Sequence, residues 1–262
     1  MSEWNFECDR PESGDYSLRY LIGIDDTDNL ESRGTGFRAR CLAAGLAEAG
    51  LASVDGVSRH QLLVHPDVPY TSHNSSACLD TQVKNGSLDE VVEFCRDFLR
   101  RESAEGSDAG LCIAAFDTLD AEVSKFGRKA KEVVLTLADA VEMGRRAGVY
   151  LEGLTGDHGG MIGALAGVGL RRLGTDGRFI WLEGVRELSG ELGAAHLLEE
   201  TGIDSIEDRE GRPVPADATI WIESWPRAVL IDGNAVLLVE KAEKSDVGYD
   251  WQLIPREEIK RY

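Results

Sequence analysis

Three carboxylates crowd the segment Ile24-Asp25-Asp26-Thr27-Asp28, directly after the apolar run Tyr20-Leu21-Ile22-Gly23. Acidic groups this close repel one another, and a hard cation relieves the repulsion. Mg²⁺ takes a few carboxylate oxygens and completes its octahedron with water and phosphate oxygens. Further on, Gly34-Thr35-Gly36 opens a helical pattern through Cys41, Leu42 and Leu46, which sets a hydroxyl and two glycines beside the acidic turn. These residues suit metal-assisted phosphoryl transfer: Asp25, Asp26 and Asp28 on metal and ATP, Thr35 as transient acceptor or phosphate contact, Gly34 and Gly36 close to the nucleotide. They also suit an acidic turn that merely caps a helix. An EF-hand is excluded, because counted from Asp26 its loop needs oxygen ligands where Leu30 and Phe37 stand.

A second candidate is the run from Gly153 to Gly163. Glycines admit an anion close to the backbone, and a helix start offers free N–H groups, so Gly156, Asp157, His158, Gly159, Gly160, Ile162 and Gly163 form an expected ATP cradle. The run is neither a Walker A loop nor a strict GxGxxG, and close helix packing accounts for its glycines equally well. The polar loop Val64 to Ala77 is the expected substrate side, through His73, Asn74 and Ser75. The basic cluster Lys125-Phe126-Gly127-Arg128-Lys129-Ala130-Lys131 reads as a local anion patch or as the solvated face of an amphipathic helix.

The elements that must position these groups follow from periodicity. The pattern predicts a strand over 20–24, a helix over 36–49, strands near 58–65 and 76–83, a helix reaching about 101, and a strand over 111–116. That β-α-β-β-α-β order is the ferredoxin-like arrangement. A long amphipathic helix is predicted to about 146, with Val123, Phe126, Ala130, Val133, Leu137 and Val141 on one side. The remainder reads as a strand at 149–151, a helix through Leu165 to Leu170, a strand at 179–182, a helix near 190–201 and strands at 219–223, 228–231 and 235–240. The last two are joined by the hairpin turn Asp232-Gly233-Asn234. The expected fold class is thus α+β, built as two-layer sandwiches. Residues 1–16 form an N-terminal arm, 17–117 a ferredoxin-like domain carrying the acidic turn, and 118–262 a second α+β domain with the glycine-rich helix start.

The chain has 262 residues, 42% of them apolar, enough to bury a core. No apolar stretch of membrane-spanning length or secretory signal is visible, so a cytoplasmic protein with no membrane partner is expected. The five cysteines are never paired as CxxC and suit a reducing compartment, most of them as small core residues. The formal net charge of −19 argues against direct tRNA binding, since polyanion binding draws on Lys and Arg.

Three segments, in order, resemble one family, the archaeal tRNA-Ile agmatidine synthetases. Ile24-Asp25-Asp26-Thr27-Asp28 with Thr35 is similar to the family's IDDTDS-x-x-G-M-C-T-T segment, and Pro66-Asp67-Val68-Pro69-Tyr70 to its N-P-x-I-P-[WY] turn. The run Gly160-Met161-Ile162-Gly163-Ala164-Leu165-Ala166-Gly167-Val168-Gly169 is similar to its G-x-I-G-A-L-A-A-I-G helix start. The resemblance covers the catalytic core, without the family's OB-fold and zinc ribbon. It implies an ATP-phosphorylating domain joined to a ferredoxin-like one, with Asp25, Asp26 and Asp28 on Mg²⁺-ATP and Thr35 at the phosphoryl-transfer centre. The expectation is an ATP- and Mg²⁺-dependent kinase or ligase-like enzyme acting on a small molecule or nucleotide. The alternatives are a nucleotide-binding regulatory module without turnover, or tRNA modification with a separate RNA-binding partner.

Overall fold

The computed structural model describes residues 17–68, 74–242 and 248–262, so the N-terminal arm and His73 lie outside the described residues. The chain runs β1 (Ser17–Asp25), α1 (Thr35–Glu48), β2 (Ala52–Gln61), β3 (Ser75–Lys84), α2 (Leu88–Glu102), β4 (Gly110–Ala115), α3 (Ala121–Lys129), α4 (Leu137–Ala147), β5 (Tyr150–Gly153) and α5 (Gly160–Leu173). It continues as β6 (Arg178–Trp181), β7 (Gly190–Gly193), α6 (Ala194–Glu200), β8 (Ser205–Glu207), β9 (Thr219–Ile222), β10 (Val229–Ile231), β11 (Asn234–Lys241), β12 (Trp251–Leu253) and α7 (Arg256–Ile259). The architecture is mixed α/β, with 12 strands in one sheet ordered β5-β4-β1-β3-β2-β6-β10-β11-β12-β9-β7 and β8 beside β11. Among the described residues no helix is long and apolar enough to cross a membrane.

The two-layer expectation is corrected by the central strands. Ile22 and Ile24 of β1 face one core with Leu42 and Leu46 of α1 and Leu99 of α2. Leu21 faces the opposite core with Val123 of α3 and Leu165 and Val168 of α5. Helices therefore cover both faces of β1, β3 and β4, making three layers. The reason is legible in Leu21-Ile22-Gly23-Ile24, which is apolar at both parities, the mark of a strand buried on two sides.

The seat of α5 depends on glycine. A Cβ on Gly23 would lie 2.2 Å from the Ala164 carbonyl oxygen, and one on Gly110 would lie 2.1 Å from the Gly160 carbonyl carbon. No side chain fits between these backbones. Gly23→Ala is expected to cost about 1–3 kcal/mol by overpacking, read as a lower urea midpoint; an unchanged midpoint would mean that α5 does not need this close approach.

Three other expectations are corrected. The long helix after 118 is two helices, because Thr136 and Asp139 form a capping box that starts α4 afresh. The segment between them, with β-branched Val133 and Val134, is left non-helical. The strand expected near 58–65 begins at Ala52, bulges between Val54 and Gly56, and ends at Gln61. The helix expected near 190–201 starts only at Ala194, since Gly190 to Gly193 pairs antiparallel with β9.

Cys78, Cys95 and Cys112 are buried, and Cys41 is partly so; all four are free thiols. Burial pushes the Cys78, Cys95 and Cys112 thiols up, away from the nucleophilic thiolate. They are core residues, as expected. The basic cluster ends up on and just after α3, where Lys125 pairs with Glu122 and Lys131 with Asp176.

Candidate functional site

The ends of β1, the start of α1, the loop after β2, the segment before β4, the break between α3 and α4 and the start of α5 meet around one cavity of about 160 Å³. Asp25, Asp26, Asp28, Thr35, Asn74, Ser75, Gly159, Gly160, Ile162 and Gly163 all line it. The cavity thus gathers residues from three motifs far apart in the chain. Leu62, Leu63, Val133, Val134 and Leu135 supply an apolar wall opposite the carboxylates.

Asp25 ends β1, and its carboxylate lies against Gly163 of α5, where an added Cβ would fall 1.6 Å from Oδ2. Burial, with Asp26 beside it, pushes the Asp25 carboxyl up to about 7. Asp26 adopts φ +50, a left-handed conformation that Asp tolerates better than most side chains. Burial and the neighbouring Asp108 and Asp28 charges raise it to about 6, against a hydrogen bond from the Asp108 amide. Both carboxyls therefore change protonation state close to neutral pH.

Asp28 has a different task. Its Oδ1 accepts from the Thr35 amide at 3.1 Å and from Thr35 Oγ1 at 2.8 Å. Thr35 Oγ1 in turn accepts from the Thr27 amide at 3.2 Å and from Thr27 Oγ1 at 3.1 Å. The hydroxyl is buried, its proton directed at a carboxylate and its oxygen fixed by two donors, so that it is held in one orientation. Asp28 therefore also caps the first turn of α1, and the capping and chemical readings of the acidic turn describe the same hydrogen bonds.

Asp25, Asp26 and Asp28, the expected metal-facing carboxylates, all line the cavity. Among the described residues no group of three or more His, Cys, Asp or Glu side chains is arranged to hold a metal ion. The expected ATP cradle is corrected in part. The Gly160, Met161 and Ile162 amides already donate to the carbonyls of Asp108, His158 and Gly159, so the start of α5 offers space more than free N–H groups. Gly156, Asp157 and His158 do not line the cavity: the Asp157 amide donates to Asp108 Oδ1 at 2.8 Å, and His158 rests against Gly153. Gly34 and Gly36 do not line it either: Gly36 is turned toward Ile180, and a Cβ on Gly34 would be 4.0 Å from Asp28 Oδ2.

Three residues that line or support the cavity were not among the candidates read from the sequence. Asp108 adds a carboxylate to the wall, and Asp67 contributes another from the loop after β2. Thr27 lies inside the acidic motif, but only the fold shows that it holds Thr35. Asp108 had no periodic or motif signal, standing in the polar turn Glu105-Gly106-Ser107-Asp108.

Elsewhere, Ser58 Oγ is 2.8 Å from His60 Nε2, and His60 Nδ1 is 3.2 Å from Asp176 Oδ1. The order matches a hydrolase triad, but Ser58 and His60 are fully enclosed, and Ser58 Oγ also donates to the Cys78 carbonyl at 3.2 Å. This network ties β2 to the turn after α5 and is closed to substrate.

No protein-family model matches the chain, and no curated protein does. Solved structures do. Apo TiaS, an agmatidine synthetase acting on an isoleucine tRNA, superposes with a TM-score of 0.50 and 23% identity over 58% of this chain and 35% of that one. A tRNA fluorescent labeling enzyme gives 0.51 and 24% over 58% and 36%. A complex of TiaS with its tRNA and ATP gives 0.51 and 24% over the same shares. The resemblance carried by the motifs is thus borne out as a likeness of fold to part of TiaS. The chain spans about a third of the length of these neighbours. The argument from net charge against contact with tRNA gains no support from them, since one is a complex with tRNA.

Proposed function

We propose that this chain is an ATP- and Mg²⁺-dependent phosphoryl-transfer enzyme with its reaction centre in the carboxylate cavity. The observation that carries the reading is the oriented Thr35 hydroxyl, hydrogen-bonded to Asp28 and walled in with Asp25, Asp26 and Asp108. The raised Asp25 and Asp26 carboxyls fit Mg²⁺ held by one or two carboxylates together with substrate phosphates, which needs no protein cage. A cation held there by Asp25 and Asp26 would supply neutralisation of charge on the transferring phosphoryl group. The chain's own part is this: Asp28 takes the Thr35 proton as the Thr35 oxygen gives up a hydrogen bond from Thr27 and bonds the γ-phosphorus, the bond from that phosphorus to ADP breaks, and Leu62 and Leu63 wall the cavity. Asn74 and Ser75 form the acceptor side of the cavity, with His73 expected next to them.

The acceptor is a small molecule or nucleotide. Five carboxylates and no cationic side chain among the described lining residues favour one bearing an amine. The order β4-β1-β3-β2, with α1 and α2 on one face, supports reading 17–117 as a ferredoxin-like unit. Residues 118–262 then form a second part whose α3–α5 segment closes the cavity.

Thermal unfolding with and without Mg²⁺-ATP tests this reading. A ligand at a hundred times its dissociation constant adds about 2.7 kcal/mol, and a chain of this size gains roughly 2–4 °C for each kcal/mol. The wild type should respond to ATP only when Mg²⁺ is present, and Asp26→Asn, which tolerates the left-handed backbone, should not respond. A wild type indifferent to Mg²⁺-ATP would end the phosphoryl-transfer reading and leave the acidic turn as a helix cap.

A further inference from the structure

Val133 and Val134 line the cavity, yet each is 43% exposed, so packing beneath them does not fix their place. Among the described residues the Val134 and Leu135 amides donate to no other main-chain group, because the segment lies between the last turn of α3 and the capping box of α4. Two contacts nevertheless tie its N-terminal end down. The Leu63 amide donates to the Ala130 carbonyl at 3.1 Å, and the Lys131 ammonium is paired with the Asp176 carboxylate. The second is the one salt bridge that residues 130–136 make among the described residues.

Asp176 is itself fixed from several sides. His60 Nδ1 lies 3.2 Å from its Oδ1, and since a carboxylate accepts, Nδ1 carries the proton. Burial, against the attraction of Asp176, lowers the pKa of His60 and keeps the ring neutral near neutral pH, so Lys131 is the cation that balances the carboxylate. Burial would raise Asp176, but the hydrogen bonds from His60 and Lys131 outweigh it and hold the carboxyl below its ordinary range. The turn Gly174-Thr175-Asp176-Gly177 is bound at both ends by the later strands: the Gly233 amide donates to the Gly174 carbonyl at 2.9 Å, and the Leu230 amide to the Gly177 carbonyl at 3.0 Å. Gly177 has φ +96, and a Cβ there would lie 2.6 Å from His60 Nδ1, so glycine is what lets the turn come down on the ring.

Stability alone is a poor account of this arrangement. Taking a carboxylate and an ammonium out of water offsets much of their attraction, and apolar side chains of similar volume hold two elements together as well or better. What the charges add is direction. One ammonium on one carboxylate sets the place of a segment that its own packing leaves free, and that segment carries the apolar wall of the cavity.

We propose that Asp176 is a positioning residue for the cavity: through Lys131 it holds the segment between α3 and α4 against the carboxylates, and His60 and the β10–β11 hairpin hold Asp176 in turn. The later strands, which contribute no lining residue among the described residues, thereby set the place of the wall. That the wall serves a nucleotide rests on the phosphoryl-transfer reading; that Asp176 holds the wall does not.

The test combines amide hydrogen exchange with calorimetric titration of Mg²⁺ and a non-hydrolysable ATP analogue, both on the full chain. Asp176→Asn keeps the shape and an acceptor for His60 but removes the charge that holds Lys131. Exchange at 133–136 should quicken while β1 and β3 exchange as in the wild type. A wall in place only about a tenth of the time lowers the apparent affinity for the analogue about tenfold. Lys131→Met should do the same, and the double variant should be no worse than either single one, as expected of residues that act through one contact. Should Asp176→Asn not fold, Lys131→Met, at a partly exposed position, carries the test. Exchange quickened throughout the chain, exchange unchanged at 133–136, additive losses, or a loosened wall with unchanged affinity would each overturn the proposal. A wild type that does not bind the analogue, with the wall loosened in both variants, would instead remove the phosphoryl-transfer reading and leave the role of Asp176 standing.

Discussion

Asp25→Asn is expected to stabilise the protein at pH 8 and to abolish its response to Mg²⁺-ATP. The folded carboxyl is raised to about 7 from its ordinary 3.8, so the folded state holds this proton more tightly than the unfolded state. The resulting stability is fully present below pH 3.8 and is lost as pH rises through about 7. At pH 8 the wild type carries a desolvated charge beside Asp26, offset only in part by the Asp26 amide and Arg59; asparagine has the same shape and no charge. The gain should be on the order of 1–2 kcal/mol at pH 8 and should shrink as pH falls toward 5. The same change removes the negative oxygen that faces the cavity, and the ligand stabilisation of about 2.7 kcal/mol should vanish with it. Stability traded for function in this way is expected of a binding site. Melting curves at pH 5 and 8, with and without Mg²⁺-ATP, separate the two effects; a variant less stable than wild type at pH 8 would show that Asp25 is compensated in the folded chain.

The second large effect is structural. Asp80 of β3, 1% exposed, accepts from Arg19 Nε at 2.8 Å, Arg19 Nη2 at 2.6 Å and Arg171 Nη2 at 2.6 Å. Arg171 comes from α5 and is itself 5% exposed, so one carboxylate joins β1, β3 and α5 below the cavity. Asp80→Ala leaves a buried guanidinium without its counter-charge, a change that costs about 3–5 kcal/mol. Urea unfolding should show the loss in the midpoint. Arg171→Met, which removes the buried charge along with the pair, should cost less than Asp80→Ala. The reverse ranking would mean that Arg171 contributes through its packing against Phe179, whose ring centre is 5.3 Å from its guanidinium carbon.

The first half of the chain was readable because its elements are local. A continuous apolar run placed a strand at Tyr20 to Ile24, and apolar spacing placed the helices at Leu42 and Val91, each within a few residues of its observed bounds. The same spacing misled between Val123 and Val141, where a three-to-four residue repeat runs through a break. The contrary signal was Thr136 with Asp139, a capping box inside a run that otherwise looks helical. That break matters, since Val133, Val134 and Leu135 fall in it and wall the cavity. The candidate site was readable in its acidic turn, Thr35 and the end of the glycine run. It was not readable in Asp108, whose place depends on where the turn before β4 meets the loop after β5.

By itself the sequence determined the order of the early elements, the acidic end of β1, the hydroxyl at the first turn of α1, and the hairpin at Asp232-Gly233. Each is set by interactions among neighbours a few residues apart: turn preferences, caps, and the periods of strand and helix. Only the tertiary structure decided that α5 would cover a second face of β1 through Gly23 and Gly110. The fold also set Asp28 against Thr35 and Arg59 opposite Arg178. Those outcomes depend on strand register and on how closely two backbones can approach. Both are fixed by burying the whole core at once, by residues far apart in the chain that no local pattern connects.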